Sequence, residues 1–167
     1  MDEMKVYIVN IGSYNEGNTK GSWFVLPVTY EDLKEKIGLN EKYEEYAIHD
    51  YELPFEVSEH TSIDELNSYY EMLLEMDDDI ISNLEIILKA WFSDIEELYD
   101  QKDNIKFHTG MASVEDYVFE YIEDLGVLNS LPEKLRYYFD YAALARDFEI
   151  EGKFLESSSG LIEYLPD

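Results

Sequence analysis

Two hydrophobic periods alternate along this chain. Met4 to Ile11 is rich in Val, Ile and Tyr and predicts a strand. Asn15 to Gly21 carries Gly17, Asn18 and Gly21, which is turn chemistry. Ser22 to Val28 predicts the returning strand, with Pro27 at its edge or end. Thr29 and Asp32 form a capping box for a short helix carrying Leu33 and Ile37, stopped by Gly38. Glu44 to Leu53 predicts a third strand before Pro54. Residues 1–61 therefore predict a small α+β domain with an antiparallel sheet.

The period then becomes helical. Ser62 with Glu65 opens a region in which Ile63, Leu66, Tyr70, Leu73 and Leu74 share one face. Asp77, Asp78 and Asp79 break and recap the chain. Ile80, Ile81, Leu84, Ile87, Leu88, Trp91 and Phe92 predict a second amphipathic helix, and Ser93 with Glu96 caps a third. No strand pattern appears between Thr61 and Asn104, so residues 62–103 read as a helical domain.

Residues 104–167 return to α+β. Ile105 to Thr109 predicts a strand. Ser113 and Asp116 box the start of a helix carrying Val114, Tyr117, Val118, Tyr121, Ile122 and Leu125, and Gly126 ends it. Ser130 and Glu133 repeat the box with Pro132 in the first turn, and Leu131, Leu135, Tyr138 and Phe139 make one apolar face. Asp140 caps a short helix with Tyr141, Leu144 and Phe148. Gly152 to Ser157 and Leu161 to Leu165 predict a hairpin around Ser158, Ser159 and Gly160. The expected fold class is α+β: an elongated chain of three small domains, 1–61, 62–103 and 104–167.

Charge changes this picture most. The 167 residues include 39 acids and 12 bases, a net charge of −27. Residues 62–103 hold 13 acids and 2 bases, net −11, whereas each flanking segment holds 13 acids and 5 bases, net −8. The acidity is thus no tail; it coats every folded part. Hydrophobic content of 46% and aromatic content of 15% are too high for a disordered acidic segment. A compact chain of this length has a radius of gyration of roughly 15 Å, on which such a charge repels itself strongly. Duplex DNA carries one charge per ~1.7 Å of axis, so 27 charges match roughly 46 Å of duplex. With no cysteine there are no disulfides or thiolate metal sites. No signal-peptide pattern and no 18-residue apolar run occurs, so a cytoplasmic protein with no membrane partner is expected.

The usual signatures of chemistry are missing. Asp77-Asp78-Asp79 lacks the glycine and spacing of a calcium loop, and acids at a helix start favour capping. His49, His60 and His108 share no metal-ligand spacing. His49 beside Asp50 would make an acid–base pair, but adjacent strand residues point to opposite faces. No nucleophile elbow or phosphate loop is present. No catalytic residue, metal or cofactor is expected. Bases isolated among acids exclude a DNA-binding patch, so direct nucleic-acid binding is not expected. Charge alone favours a merely soluble acidic surface; the complementary reading is a partner that is itself a DNA-binding protein, with carboxylates standing where phosphates would. An acidic adaptor for a nucleoid protein and an enzyme of unknown carboxylate chemistry remain as alternatives.

The run from Gly126 to Glu149, GVLNSLPEKLRYYFDYAALARDFE, resembles the antirestriction motif of the ArdA-family antirestriction proteins. YIVNIGSYNEG, GSWFVLP, EEYAIHDYELPF and TSIDELN resemble the same family, in order, from about Val6 to Tyr164. The resemblance implies a homodimeric DNA mimic, carried on mobile genetic elements, that inhibits type I restriction–modification enzymes through their methyltransferase core. It leaves open the enzyme subtype and whether modification is blocked with restriction. On this reading the collective partner-binding set is Asp64, Glu65, Glu71, Glu75, Asp77, Asp78, Asp79, Glu85, Asp94, Glu96, Glu97, Asp100 and Asp103. The dimer contact is assigned to Leu128, Leu131, Leu135, Tyr138, Phe139 and Tyr141. Lys134 and Arg136 inside the motif fit a subunit contact better than a phosphate-like surface.

Overall fold

The computed structural model describes residues 3–15, 17–18, 20–42 and 44–166. The protein is mixed α/β, with two small antiparallel sheets among helices. It divides into two compact units, Met1–Tyr99 and Asp100–Asp167.

In the first unit β1 (Lys5–Asn10) is the centre of a three-stranded sheet, between β2 (Gly21–Val25) and β3 (Tyr46–Glu52). Both pairings are antiparallel. Val6, Ile8 and Val9 are buried, as a central strand requires. The predicted strand stops one residue early, because Ile11–Asn15 turns into a short helix, α1. The buried Asn10 makes that change of direction: its Oδ1 accepts the Ser13 N–H at 2.9 Å, and its Nδ2 donates to the Ile37 carbonyl at 3.1 Å. Glu16 and Thr19 of the predicted turn lie outside the described residues. Helix α2 (Tyr30–Ile37) begins with the expected Thr29–Asp32 box, ends at Gly38, and buries Leu33 and Ile37. The Thr29 hydroxyl and N–H, donating to Asp32, hold its carboxyl below the usual range.

The helices α3 (Ile63–Leu74), α4 (Asp78–Ser82), α5 (Leu84–Trp91) and α6 (Ile95–Gln101) follow. Ser62 caps α3, accepting the Glu65 N–H at 3.1 Å. The boundary expected after residue 61 falls inside the first unit. Asn67 on α3 accepts the Val28 N–H at 2.8 Å and donates to its carbonyl at 2.7 Å, while the Tyr46 hydroxyl accepts the Ile63 N–H at 3.0 Å. The division into three domains is therefore not carried over to the structure.

Two helix predictions need correction. The single helix expected from Ile80 to Phe92 is broken at Asn83. Its side-chain amide donates to the Asp79 carbonyl at 2.8 Å, the acceptor its own N–H would use in a continuous helix. That N–H bonds Ile80 instead, at 3.1 Å. The start of α6 is also shifted by one residue. Asp94, not Ser93, accepts a helical N–H, that of Glu97 at 2.9 Å, and the Glu97 carboxylate receives the Ser93 N–H and hydroxyl in return.

In the second unit β6 (Gly160–Tyr164) lies between β4 (Ile105–His108) and β5 (Phe154–Ser157), antiparallel to both. Gly160, with φ 133°, closes the predicted β5–β6 hairpin; a Cβ there would stand 2.8 Å from the His108 carbonyl oxygen. Helices α7 (Val114–Leu125) and α9 (Tyr141–Ile150) pack together. Val114, Val118, Ile122, Leu128, Ala145 and Leu161 form the core of this unit. The Ser113–Asp116 box and the left-handed Gly126 bound α7 as expected, and Asp140 caps α9 through the Ala143 N–H at 2.8 Å.

The predicted Ser130–Glu133 box does not form. Ser130 ends a 3-10 turn (Val127–Ser130) and its hydroxyl donates to Val127, so α8 (Glu133–Arg136) starts after Pro132 without a side-chain cap. Arg136 holds this segment together. Its guanidinium donates to the Asn129 and Leu131 carbonyls, both at 3.1 Å.

Candidate functional site

All thirteen carboxylates assigned to partner binding are exposed. Local geometry explains why. Helices α3 to α6 bury Ile63, Leu66, Leu73, Ile80, Leu84, Ile87, Ile95 and Leu98, and the acids occupy the remaining positions. Asp64, Glu65, Asp78, Asp79, Glu85, Glu96 and Glu97 sit in first turns, where the helix dipole favours negative charge. Asp77 precedes α4 without a side-chain capping bond, so these aspartates act through the dipole more than as caps.

Some of the acids are tied to neighbours. Glu65 accepts the Tyr69 hydroxyl at 2.8 Å, and Glu75 accepts that of Tyr99. The Tyr69 phenol records the local field. Burial first, then the hydrogen bond to Glu65 and the charges of Glu65, Glu96 and Asp94, push it up to about 12. At the start of α2, burial, then Tyr46 and Asp64, raise Tyr30 in the same way.

The six residues assigned to a dimer contact separate into three groups. Leu128 is 8% exposed and belongs to the core of the second unit. Phe139 and Tyr141 are half-buried against that core, their rings meeting edge-on at 4.8 Å. Leu131, Leu135 and Tyr138 are exposed, Tyr138 at 83%, and sequence reasoning missed the equally exposed Tyr137. Two adjacent tyrosines in the turn directly after the four-residue α8 could have signalled this, since so short a segment cannot bury both. Arg136 is engaged within its own chain, as described above.

The histidines lie apart. The pairing of β1 with β3 skips His49, a bulge, and both His49 and Asp50 are exposed. They still form no pair: His49 meets Tyr14 edge-on at 6.3 Å, and Asp50 accepts the Tyr51 N–H. His108 is the one with a buried partner. Its Nε2 lies 2.8 Å from Oε2 of Glu163, which is only 7% exposed, and Tyr117 donates to the other carboxylate oxygen at 3.4 Å. Burial, then Glu163, raise the Tyr117 phenol. Nothing in the strand pattern marked Glu163 as inward-facing. Among the described residues no group of three His, Asp or Glu side chains is placed to hold a metal ion, and no helix is long and apolar enough to cross a membrane.

These features define an acidic α/β protein whose candidate carboxylates lie on open surface. The sequence model of the ArdA antirestriction proteins matches residues 6–163, nearly the whole chain, and the chain belongs to that family. Membership implies an antirestriction role, with a restriction–modification enzyme as partner. No match is found among curated proteins.

Proposed function

We propose that this protein is a DNA mimic that occupies the DNA-binding groove of a type I restriction–modification enzyme in the cytoplasm and keeps duplex out. One observation carries the reading: thirteen exposed carboxylates against two bases in residues 62–103. A groove built for duplex meets many phosphates, each contributing little and all screened by salt. A dispersed set of surface carboxylates suits that groove better than it suits an interface dominated by a few buried anchors. No residue performs chemistry; charge and shape do the work. Two copies associate through Leu131, Leu135 and Tyr138, with Phe139 and Tyr141 beneath them, which lengthens the run of charge presented to the enzyme.

The test is competition with duplex for a purified type I methyltransferase core. The protein is expected to displace DNA, with affinity falling steeply as salt rises. Binding that ignores both DNA and salt would favour an acidic adaptor for another protein.

A further inference from the structure

Within the first unit, Pro54 and Phe55 leave β3 and meet Tyr69 of α3, Leu88 of α5, Phe92 after it and Ile95 of α6 around a cavity of about 420 Å³. Its floor is apolar. Phe55, Phe92 and Ile95 are buried, and Tyr69 meets Phe55 edge-on at 5.8 Å. Its rim is charged: Glu56, Glu85 and Asp94 stand there with a single base, Lys89.

We propose that this cavity seats an arginine side chain presented by a partner protein. An apolar floor alone would suit an uncharged segment, and a carboxylate rim alone would be ordinary solvated surface. An amphipathic cation satisfies both, with its stem on the floor and its head at the rim. A guanidinium fits better than an ammonium, because it is flat, weakly hydrated, stacks on aromatic rings and takes carboxylates in bidentate fashion.

The rim carboxylates are not equivalent. Asp94 is committed to α6, accepting the Glu97 N–H at 2.9 Å and the Ser93 hydroxyl at 3.1 Å. The side chains of Glu56 and Glu85 make no hydrogen bond or ion pair with a described residue, so they are left to receive the cation. Lys89, one helical turn after Glu85, competes with it. Burial contributes most to the raised Tyr69 phenol, followed by its hydrogen bond to Glu65; the charges of Glu65, Glu96 and Asp94 add to it and would also attract a cation near the rim. That the partner is the restriction–modification enzyme rests on the proposed function; the seat itself does not.

The test is a 15N NMR titration of the full chain with Nα-acetyl-arginine methylamide, with the neutral citrulline analogue as control. The arginine probe is expected to give saturable shifts at Phe55, Tyr69, Phe92 and Asp94, and the citrulline probe none. Glu56→Gln with Glu85→Gln should weaken the probe about tenfold. The charge-matched pair Glu71→Gln with Asp78→Asn should change it by no more than about twofold. Lys89→Gln should strengthen binding. Unsaturable shifts scattered over the acidic surface, or equal weakening by both pairs, would overturn the seat. A saturating probe combined with no DNA displacement from the enzyme would support the seat and sink the enzyme reading.

Discussion

In residues 62–103, helices α3 to α6 and the short segments flanking them hold thirteen exposed carboxylates and bury most of an aliphatic face, with Leu74 and Ile86 left exposed. Residues 113–150 are helical too, and carry nine acids against three bases, yet they leave Phe119, Leu125, Leu131, Leu135, Tyr137 and Tyr138 exposed. The difference is sharpest after α7, which matches α3 in length and itself leaves Phe119 and Leu125 exposed. Helix α3 runs twelve residues, long enough to separate an apolar stripe from a polar one. Helix α8 has four residues and cannot. Its one apolar residue, Leu135, and the two tyrosines that follow it are exposed, while Arg136 pins the loop before it. One region is thus suited to long-range, screened attraction, and the other to short-range apolar contact.

The sharpest way to break this comparison is to neutralise charge in blocks. Replacing five or more carboxylates of residues 62–103 by their amides should weaken enzyme inhibition on the order of a hundredfold at low salt and flatten its salt dependence. The same number of changes in residues 113–150 should do less. Equal losses in titrations at two salt concentrations would erase the distinction.

The apolar region has its own test, which the structure refines. Tyr138→Asp should weaken dimerisation by about 2 kcal/mol, read by sedimentation, without loss of helical signal, because Tyr138 is almost fully exposed. Phe139→Asp should instead loosen the second unit, since Phe139 packs on its core. If Tyr138→Asp stays dimeric, the interface lies elsewhere.

A smaller effect tests the cost of the charge itself. Raising NaCl from 0.01 to 0.1 M shortens the Debye length from ~30 to ~10 Å and should raise the melting temperature by about 2–4 °C. An unchanged midpoint would mean the charges are compensated locally. Least of all should single changes matter. Asp78→Asn or Glu97→Gln should alter inhibition by no more than about 0.5 kcal/mol. An exposed carboxylate is one of many, and the amide oxygen left by Glu97→Gln can still accept from Ser93. Loss of inhibition from either one would replace a distributed surface with a single anchor.

Sequence by itself determined the features that are local. The Thr29–Asp32 and Ser113–Asp116 boxes, the Ser62 and Asp140 caps and the Gly38 and Gly126 stops all involve groups within a few residues of one another, so the pattern states them directly. Exposure of the thirteen carboxylates was legible too, because a charge is almost never buried without a partner. Tertiary structure decided the rest. Glu163 is inward because His108, fifty-five residues away, meets it. Asn67 joins α3 to Val28 across thirty-nine residues. The cavity beside Tyr69 exists only where α3, α5 and the chain after β3 converge. Leu128 is core and Tyr138 surface because the fold closes over one and not the other. Periodicity gives each residue a face on its own element; which faces meet depends on contacts between elements, and no local pattern encodes those.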